Sequence, residues 1–106
     1  MKPTNEISSR VYKAIPQLDR LRTDVLLGDV WKQPEMNMRD RSLVTCSVLA
    51  ALGKNEELTV HMRRAVQNGV TVDELRGLVM QVTFYAGWPA GLSAGKAALE
   101  LFEGEK

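Results

Sequence analysis

The sequence is poor in the residues that form disulfides and metal centres. Its 106 residues include one cysteine, Cys46, and one histidine, His61. A single cysteine excludes an intrachain disulfide and a CxxC pair, and it fits a reducing compartment such as the cytoplasm. Structural zinc takes four ligands and catalytic zinc about three, so we expect no metal site. Cys46 lies in an apolar stretch, where it is predicted to be an inert small hydrophobe.

The sequence also lacks an excess of charge of either sign. Fourteen Lys and Arg residues face 13 Asp and Glu residues, for a net charge of +1. This balance argues against the broad basic surface of a nucleic-acid or membrane-binding protein. No apolar run approaches the roughly 20 residues that cross a bilayer, and the first ten residues lack the apolar segment of a secretory signal. We therefore expect a cytoplasmic protein with neither nucleic acid nor membrane as a partner.

The residues that are present favour an all-α fold. Apolar residues make up 44% of the chain and charged residues 25%, which is typical of a soluble domain, and the length suits one domain over residues 1–106. Apolar positions recur with helical spacing, and no pair of alternating strands is visible. The pattern predicts five or six helices, with residues 1–9 flexible. The predicted helices lie at about residues 5–14, 16–31, 37–52, 55–67, 71–86 and 89–102.

Local signals mark several helix ends and faces. Asn55 is predicted to cap the fourth helix, which Asn68-Gly69 ends because glycine adopts the left-handed conformation at low cost. Thr71-Val72-Asp73-Glu74 is a capping box that starts the next helix. The apolar face of that helix is predicted to comprise Leu75, Leu78, Val79, Val82, Tyr85 and Ala86. The segment Leu43–Leu52 is apolar nearly all round, which predicts burial in the protein's centre or between subunits.

His61 lies on the apolar face of its predicted helix. That face is formed by Leu58, His61, Met62, Ala65 and Val66, at the spacing i, i+3, i+4, i+7 and i+8. An imidazole placed among core residues is either a satisfied core side chain or a working acid or base, and the residues alone favour the core interpretation. Glu57, four residues earlier, could orient the ring or be a solvated acid of the first turn.

Two further pairs of residues could contact a substrate. Arg39 and Arg41 could bind a carboxylate with paired hydrogen bonds, or they could form surface ion pairs with Asp40 and other acids, which is the more common outcome. Tyr85 and Trp88 lie beside a helix break, where they could form the wall of a pocket. Aromatic residues at such a corner are more often packed between helices.

Three segments of the chain together resemble the carboxymuconolactone decarboxylase family. They are GDVWKQPEMNMRDRSLVT, AALGKNEELTVHMRRAVQNGVT and FYAGWPAGLSA, and the resemblance runs from about Pro16 to Phe102. Its markers are Gly28 with Trp31 before a proline, Arg39-x-Arg41, Leu58-x-x-His61, Asn68-Gly69-Val70-Thr71 and Gly87-Trp88-Pro89. The resemblance implies the alkylhydroperoxidase D-like helical fold and a ring-shaped homo-oligomer, either a trimer or a hexamer.

The resemblance also implies an activity. The family's named reaction is the cofactor-free decarboxylation of 4-carboxymuconolactone to 3-oxoadipate enol-lactone, in the protocatechuate branch of aromatic-compound breakdown. The substrate class is thus a small carboxylated lactone. The roles implied are general acid for His61 with Glu57 orienting it, carboxylate binding for Arg39 and Arg41, and an apolar wall from Tyr85 and Trp88.

Two other functions remain open at this point. One is a non-catalytic helical oligomer that binds a small ligand or a partner protein. The other is a thiol peroxidase, because the superfamily includes the alkylhydroperoxidase D proteins. Their motif, aligned on His61, would need cysteines at Lys54 and Glu57 and a glutamate at Ser42. Thiol chemistry requires a thiolate and a resolving partner, so we expect no peroxidase activity.

Overall fold

The structure, a computed structural model, describes residues 3–104, and the side-chain surroundings of residues 7–104. Within that range the chain is all-helical without a strand, which confirms the predicted class. The elements are α1 (Pro3–Ala14), α2 (Pro16–Arg20), a π-helix (Leu21–Leu27), a 3₁₀ turn (Val30–Lys32), α3 (Met38–Leu52), α4 (Asn55–Gln67), α5 (Val72–Ala86), α6 (Trp88–Ala97) and α7 (Leu99–Gly104). None of the helices between residues 3 and 104 combines the length and the hydrophobicity of a membrane span.

The prediction of five or six helices is too low, because the described residues form seven α-helices. The helix expected over residues 16–31 passes into the π-helix at Leu21 and ends before a separate 3₁₀ turn. The apolar residues of this segment are clustered, so they fit the period of a π-helix as well as that of an α-helix. Hydrophobic periodicity therefore does not reveal where the α-helix changes into the π-helix. The last predicted helix is interrupted at Ala98, where φ is −104° and ψ is 9°. The first helix starts at Pro3, so the part of segment 1–9 that is described is helical.

The predicted helix ends are largely confirmed. The Thr71 hydroxyl accepts the Glu74 N–H at 3.0 Å, and the Glu74 carboxylate accepts the Thr71 N–H at 2.9 Å. Gly69 and Gly87 have φ values of +101° and +112°, a backbone conformation that other residues rarely adopt. The prediction of Asn55 as a cap is wrong by one residue, because Asn55 begins α4 itself.

The chain divides into two compact units, Met1–Met38 and Arg39–Lys106. The second unit holds a continuous apolar core between α3, α4, α5 and α6. Its buried residues are Cys46, Ala50, Leu58, Met62, Ala65, Val70, Leu75, Leu78, Val82, Ala94 and Ala98. Helices α5 and α6 are in tight contact at Gly91 of α6, where an added Cβ would overlap the Thr83 side chain. A side chain therefore has no room at position 91.

The described side chains of the first unit form no such core. From Ile7 to Met38, none of the side chains is buried. Apolar side chains from α1 through the π-helix are exposed by 41–57%: Ile7, Val11, Ile15, Leu18, Leu21, Val25, Leu26 and Leu27. The helices of this unit border a cavity of about 430 Å³ that is open to solvent. It is lined by Tyr12, Leu18, Leu21, Arg22, Val25, Leu26 and Val30.

Candidate functional site

His61 lies at the edge of the buried face of α4. Leu58, Met62 and Ala65 of that face are buried, as predicted from their spacing, whereas the imidazole is half-buried. Val66, predicted to share the face, is 37% exposed, so its assignment to the core is wrong. The ring therefore borders both the core and the surface. Such a position permits contact with a ligand as well as partial removal from water.

Burial lowers the pKa of His61 below its ordinary value of 6.5 because the charged form loses hydration. The positive charge of Arg64 lowers the pKa further, and the negative charge of Glu57 raises it to a smaller extent. Burial therefore favours the neutral form of the imidazole. Glu57 is exposed, and within the described residues no hydrogen bond joins it to the ring. Its influence on His61 in this structure is exerted through charge.

Arg39 is held in an ion-pair network at the start of α3. Its guanidinium donates to the Asp40 carboxylate at 2.9 Å and to the carboxylate of Glu74, the residue of the α5 capping box. Hydrogen bonding to Glu74 raises the pKa of Arg39. The pKa of Glu74 is lowered, chiefly by the Thr71 N–H and then by Arg39. A substrate carboxylate at Arg39 would compete with two protein carboxylates. Arg41, two residues further on, is half-buried.

Tyr85 and Trp88 lie at the corner between α5 and α6. Tyr85 is 84% exposed and Trp88 is 64% exposed, so the prediction that Tyr85 continues the buried face of α5 is wrong. Ala86, predicted there too, is also exposed. The Trp88 ring packs edge-to-face on Phe84, with 5.8 Å between ring centres. A single chain therefore presents both aromatic residues on its surface, because the helix ends and Gly87 redirects the backbone there.

One partly buried contact between α3 and the end of α4 was not predicted from the sequence. The Asn68 side-chain amide donates to the Ser42 hydroxyl at 2.9 Å, joining the end of α4 to the first turns of α3. Ser42 is only 3% exposed. Two features of the sequence could have suggested this contact. Ser42 lies four residues before buried Cys46, and Asn68 lies seven residues after His61, so each lies on the inward side of its helix.

Comparison with known proteins places these residues in a family. Residues 16–100 match the carboxymuconolactone decarboxylase family. The chain belongs to that family. The resemblance noted in the sequence is thereby confirmed over most of the chain. The six predicted site residues, Arg39, Arg41, Glu57, His61, Tyr85 and Trp88, all fall within the matched range.

Two relatives carry decarboxylase names. A 4-carboxymuconolactone decarboxylase from Acinetobacter baylyi is 46% identical over 76 residues, which are 72% of this chain and 57% of that protein. A nitrosuccinic acid decarboxylase from Metarhizium robertsii is 35% identical over 74 residues, which are 70% of this chain and 52% of that protein. The chain thus spans little more than half the length of these relatives.

In this member of the carboxymuconolactone decarboxylase family, Cys46 is fully buried in the core. Burial raises the pKa of its thiol to about 11, so the reactive thiolate is scarce at pH 7. The predicted role as an inert hydrophobe agrees with this environment. Lys54, Glu57 and Ser42 occupy the positions at which the peroxidase motif has its two cysteines and its glutamate.

Proposed function

We propose that this chain is a cofactor-free decarboxylase of a small carboxylated compound, with a lactone of the 4-carboxymuconolactone type as its first candidate substrate. The observation that carries the proposal is the 46% identity to a protein named for that reaction. The second relative is also named a decarboxylase, and its named substrate is a small carboxylic acid. The helical family and the half-buried His61 are compatible with this chemistry.

The proposed reaction breaks the bond between the lactone ring and its carboxylate carbon. The electron pair of that bond moves through the conjugated ring toward the lactone carbonyl oxygen, leaving a dienolate that must gain a proton at carbon. His61 is proposed as the general acid that delivers this proton, a role that contributes roughly 10²–10⁴-fold in rate. Burial favours the neutral imidazole in the free chain, whereas the negative charges of a bound dicarboxylate would raise its pKa and favour its protonation.

The arginines at the start of α3 are proposed to bind the substrate carboxylates. Arg39 and Arg41 both bind carboxylate in this scheme, and at Arg39 the substrate competes with the contacts to Asp40 and Glu74. Both side chains also supply positive charge against the developing enolate. Glu57 is proposed to favour the imidazolium form of His61 through its charge. Such a site needs neither a metal nor an organic cofactor for the electron flow described.

We further propose that the site is completed in a ring-shaped homo-oligomer, a trimer or hexamer, in the cytoplasm. Val44, Val48 and Leu52 form a row along α3 and are exposed by 49%, 50% and 65%. Residues 43–52 carry no charged side chain. The same row of a second copy of this chain can therefore pack against it without burying a charge. Burial of Tyr85 and Trp88 between copies would also form the apolar wall of the site. Such a wall excludes water, which favours loss of a carboxylate as neutral CO₂.

The test is CO₂ release by the purified protein from 4-carboxymuconolactone and, separately, from nitrosuccinic acid. We expect turnover of at least one compound. Arg41→Gln should lower kcat/KM by about 100-fold because a charged hydrogen bond to the carboxylate is lost. Arg63→Gln is the matched control, because Arg63 lies on α4 and pairs with exposed Glu100 at 3.1 Å. Binding of these acids without CO₂ release would contradict the proposal and support a non-catalytic ligand-binding oligomer.

A further inference from the structure

The hydrogen bond between Asn68 and Ser42 is a polar contact at the edge of an apolar core. The Asn68 amide nitrogen lies 2.9 Å from the Ser42 hydroxyl oxygen. Ser42 is 3% exposed, and Cys46 and Ala50, at one and two further turns of α3, are buried on the same side. A buried polar side chain that loses its hydrogen-bond partner carries a desolvation cost. Removing either residue therefore costs free energy at the other, so the two residues are energetically coupled. Apolar contacts elsewhere in the core have no such directional requirement.

This contact joins the two helices that hold the proposed acid and the proposed carboxylate ligands. Ser42 directly follows Arg41 in α3. Asn68 ends α4, where its backbone N–H donates to the carbonyls of Arg64 and Ala65 at 2.9 and 3.1 Å. It comes seven residues after His61, which is about two helical turns along the same face and roughly 10 Å along the helix axis. The bond therefore constrains both the rotation and the sliding of α4 relative to the first turns of α3.

We propose that Asn68 and Ser42 are positioning residues that hold the His61 face of α4 in register with the arginine-bearing turns of α3. Neither residue is proposed to contact substrate. The inference rests on the proposed function for its consequence in catalysis, although the register itself is a property of the fold. A misplacement of about 1 Å between an acid and the atom it protonates can cost up to about 100-fold in rate, so a modest rotation of α4 matters.

The variants are Ser42→Ala, Asn68→Ala and the double variant. Each removes the same bond, so we expect kcat to fall about 10–100-fold in either single variant, with little further loss in the double variant. KM should change less, because the arginines remain. Thr59→Val is the matched control: its hydroxyl donates to the Ala97 carbonyl at 2.8 Å and ties α4 to α6 instead of α3. Thr59→Val should lower stability while leaving kcat of the folded protein near wild type.

A second readout does not depend on activity. His61 is the only histidine in the chain, so its ring protons give a single set of NMR signals that report the surroundings of the imidazole. At fixed pH we expect these signals to move in Ser42→Ala and Asn68→Ala and to stay in place in Thr59→Val. Unchanged ring signals in both Ser42→Ala and Asn68→Ala would overturn the proposal. Equal movement in Thr59→Val would also overturn it, since the effect would then be a general loosening of α4.

The outcomes separate this inference from the proposed function. If the ring signals move as expected but the wild-type protein releases no CO₂, the decarboxylase proposal fails and the register role stands. Asn68→Asp is the variant to use if Asn68→Ala does not fold, because the Ser42 hydroxyl can donate to the new carboxylate. We expect Asn68→Asp to retain most of the wild-type kcat. A loss in Asn68→Asp as large as in Ser42→Ala would contradict the proposal.

Discussion

The two units of this chain use the same kind of amphipathic helix with different results. In Arg39–Lys106 the apolar faces of α3, α4, α5 and α6 meet and form a core. In Met1–Met38 the apolar residues follow helical spacing equally well, yet none of the described side chains is buried. Helical periodicity thus identifies which residues share a face, whereas burial depends on what the chain or its partners place against that face.

The largest contrast should come from truncating one leucine in each unit. Leu58 is fully buried, so Leu58→Ala should destabilise the protein by about 2–5 kcal/mol. Leu21 is 54% exposed, so Leu21→Ala should cost about 1 kcal/mol or less in the dissociated chain. Urea unfolding under dissociating conditions measures both. Equal costs would contradict the difference between the two units.

The tight contact between α5 and α6 should make Gly91→Ala destabilising by about 1–3 kcal/mol, because the new methyl group overlaps Thr83. Gly77→Ala in α5 is the matched control. Nothing lies within 4 Å of a Cβ added there, so alanine should stabilise the helix by about 0.5–1 kcal/mol. Thermal unfolding of the two variants should therefore shift in opposite directions, and a Gly91→Ala protein as stable as wild type would refute the close packing.

The half-buried imidazole should make stability depend on pH in a defined direction. The pKa of His61 is lowered in the folded chain, so the unfolded chain binds a proton more readily. The stability linked to neutral His61 is therefore fully present above about pH 6.5 and is lost as pH falls toward the lowered folded value. Unfolding free energies at pH 7.5, 6.5 and 5.5 should show a steeper decline in wild type than in His61→Gln. Parallel curves would argue against the burial of this ring.

The smallest effect on the stability of the isolated chain is expected on the exposed row of α3. Val48→Asp places a charge where the side chain is half exposed, so folding should change little. The same charge should disrupt assembly if that row is covered by another copy. Sedimentation of Val48→Asp beside Gln81→Asp, a control on the exposed side of α5, separates the two effects. Identical assembly masses would contradict the proposed interface.

Much of the second unit's fold could be predicted from the sequence, because local chemistry determines its helix ends. Thr71 and Glu74 satisfy each other's backbone donors, and Gly69 and Gly87 adopt the conformations that glycine favours. The inward faces of α4 and α5 followed from spacing alone at Leu58, Met62, Leu75, Leu78 and Val82. Each of these features depends on residues close together in the chain.

The features that could not be predicted depend on residues far apart in the chain. Glu74 was assigned only to the capping box, yet it also binds Arg39, 35 residues away. Ser42 and Asn68 are 26 residues apart, so helical spacing can place each on the inward side of its helix but does not pair them. Tyr85 is exposed because α5 ends one residue later, before the chain turns. For the candidate site, the residues of α3 and α4 stay predictions from the sequence, and the ion pairs that occupy Arg39 were not predicted.

The most direct test of the account is CO₂ release from 4-carboxymuconolactone by His61→Ala and wild-type protein, compared at the same assembly mass and the same folded fraction. The account predicts that His61→Ala loses at least about 100-fold in kcat, because the dienolate then lacks its proton donor, while the carboxylate still binds through the arginines. Wild-type turnover by a folded, fully assembled His61→Ala protein would contradict it.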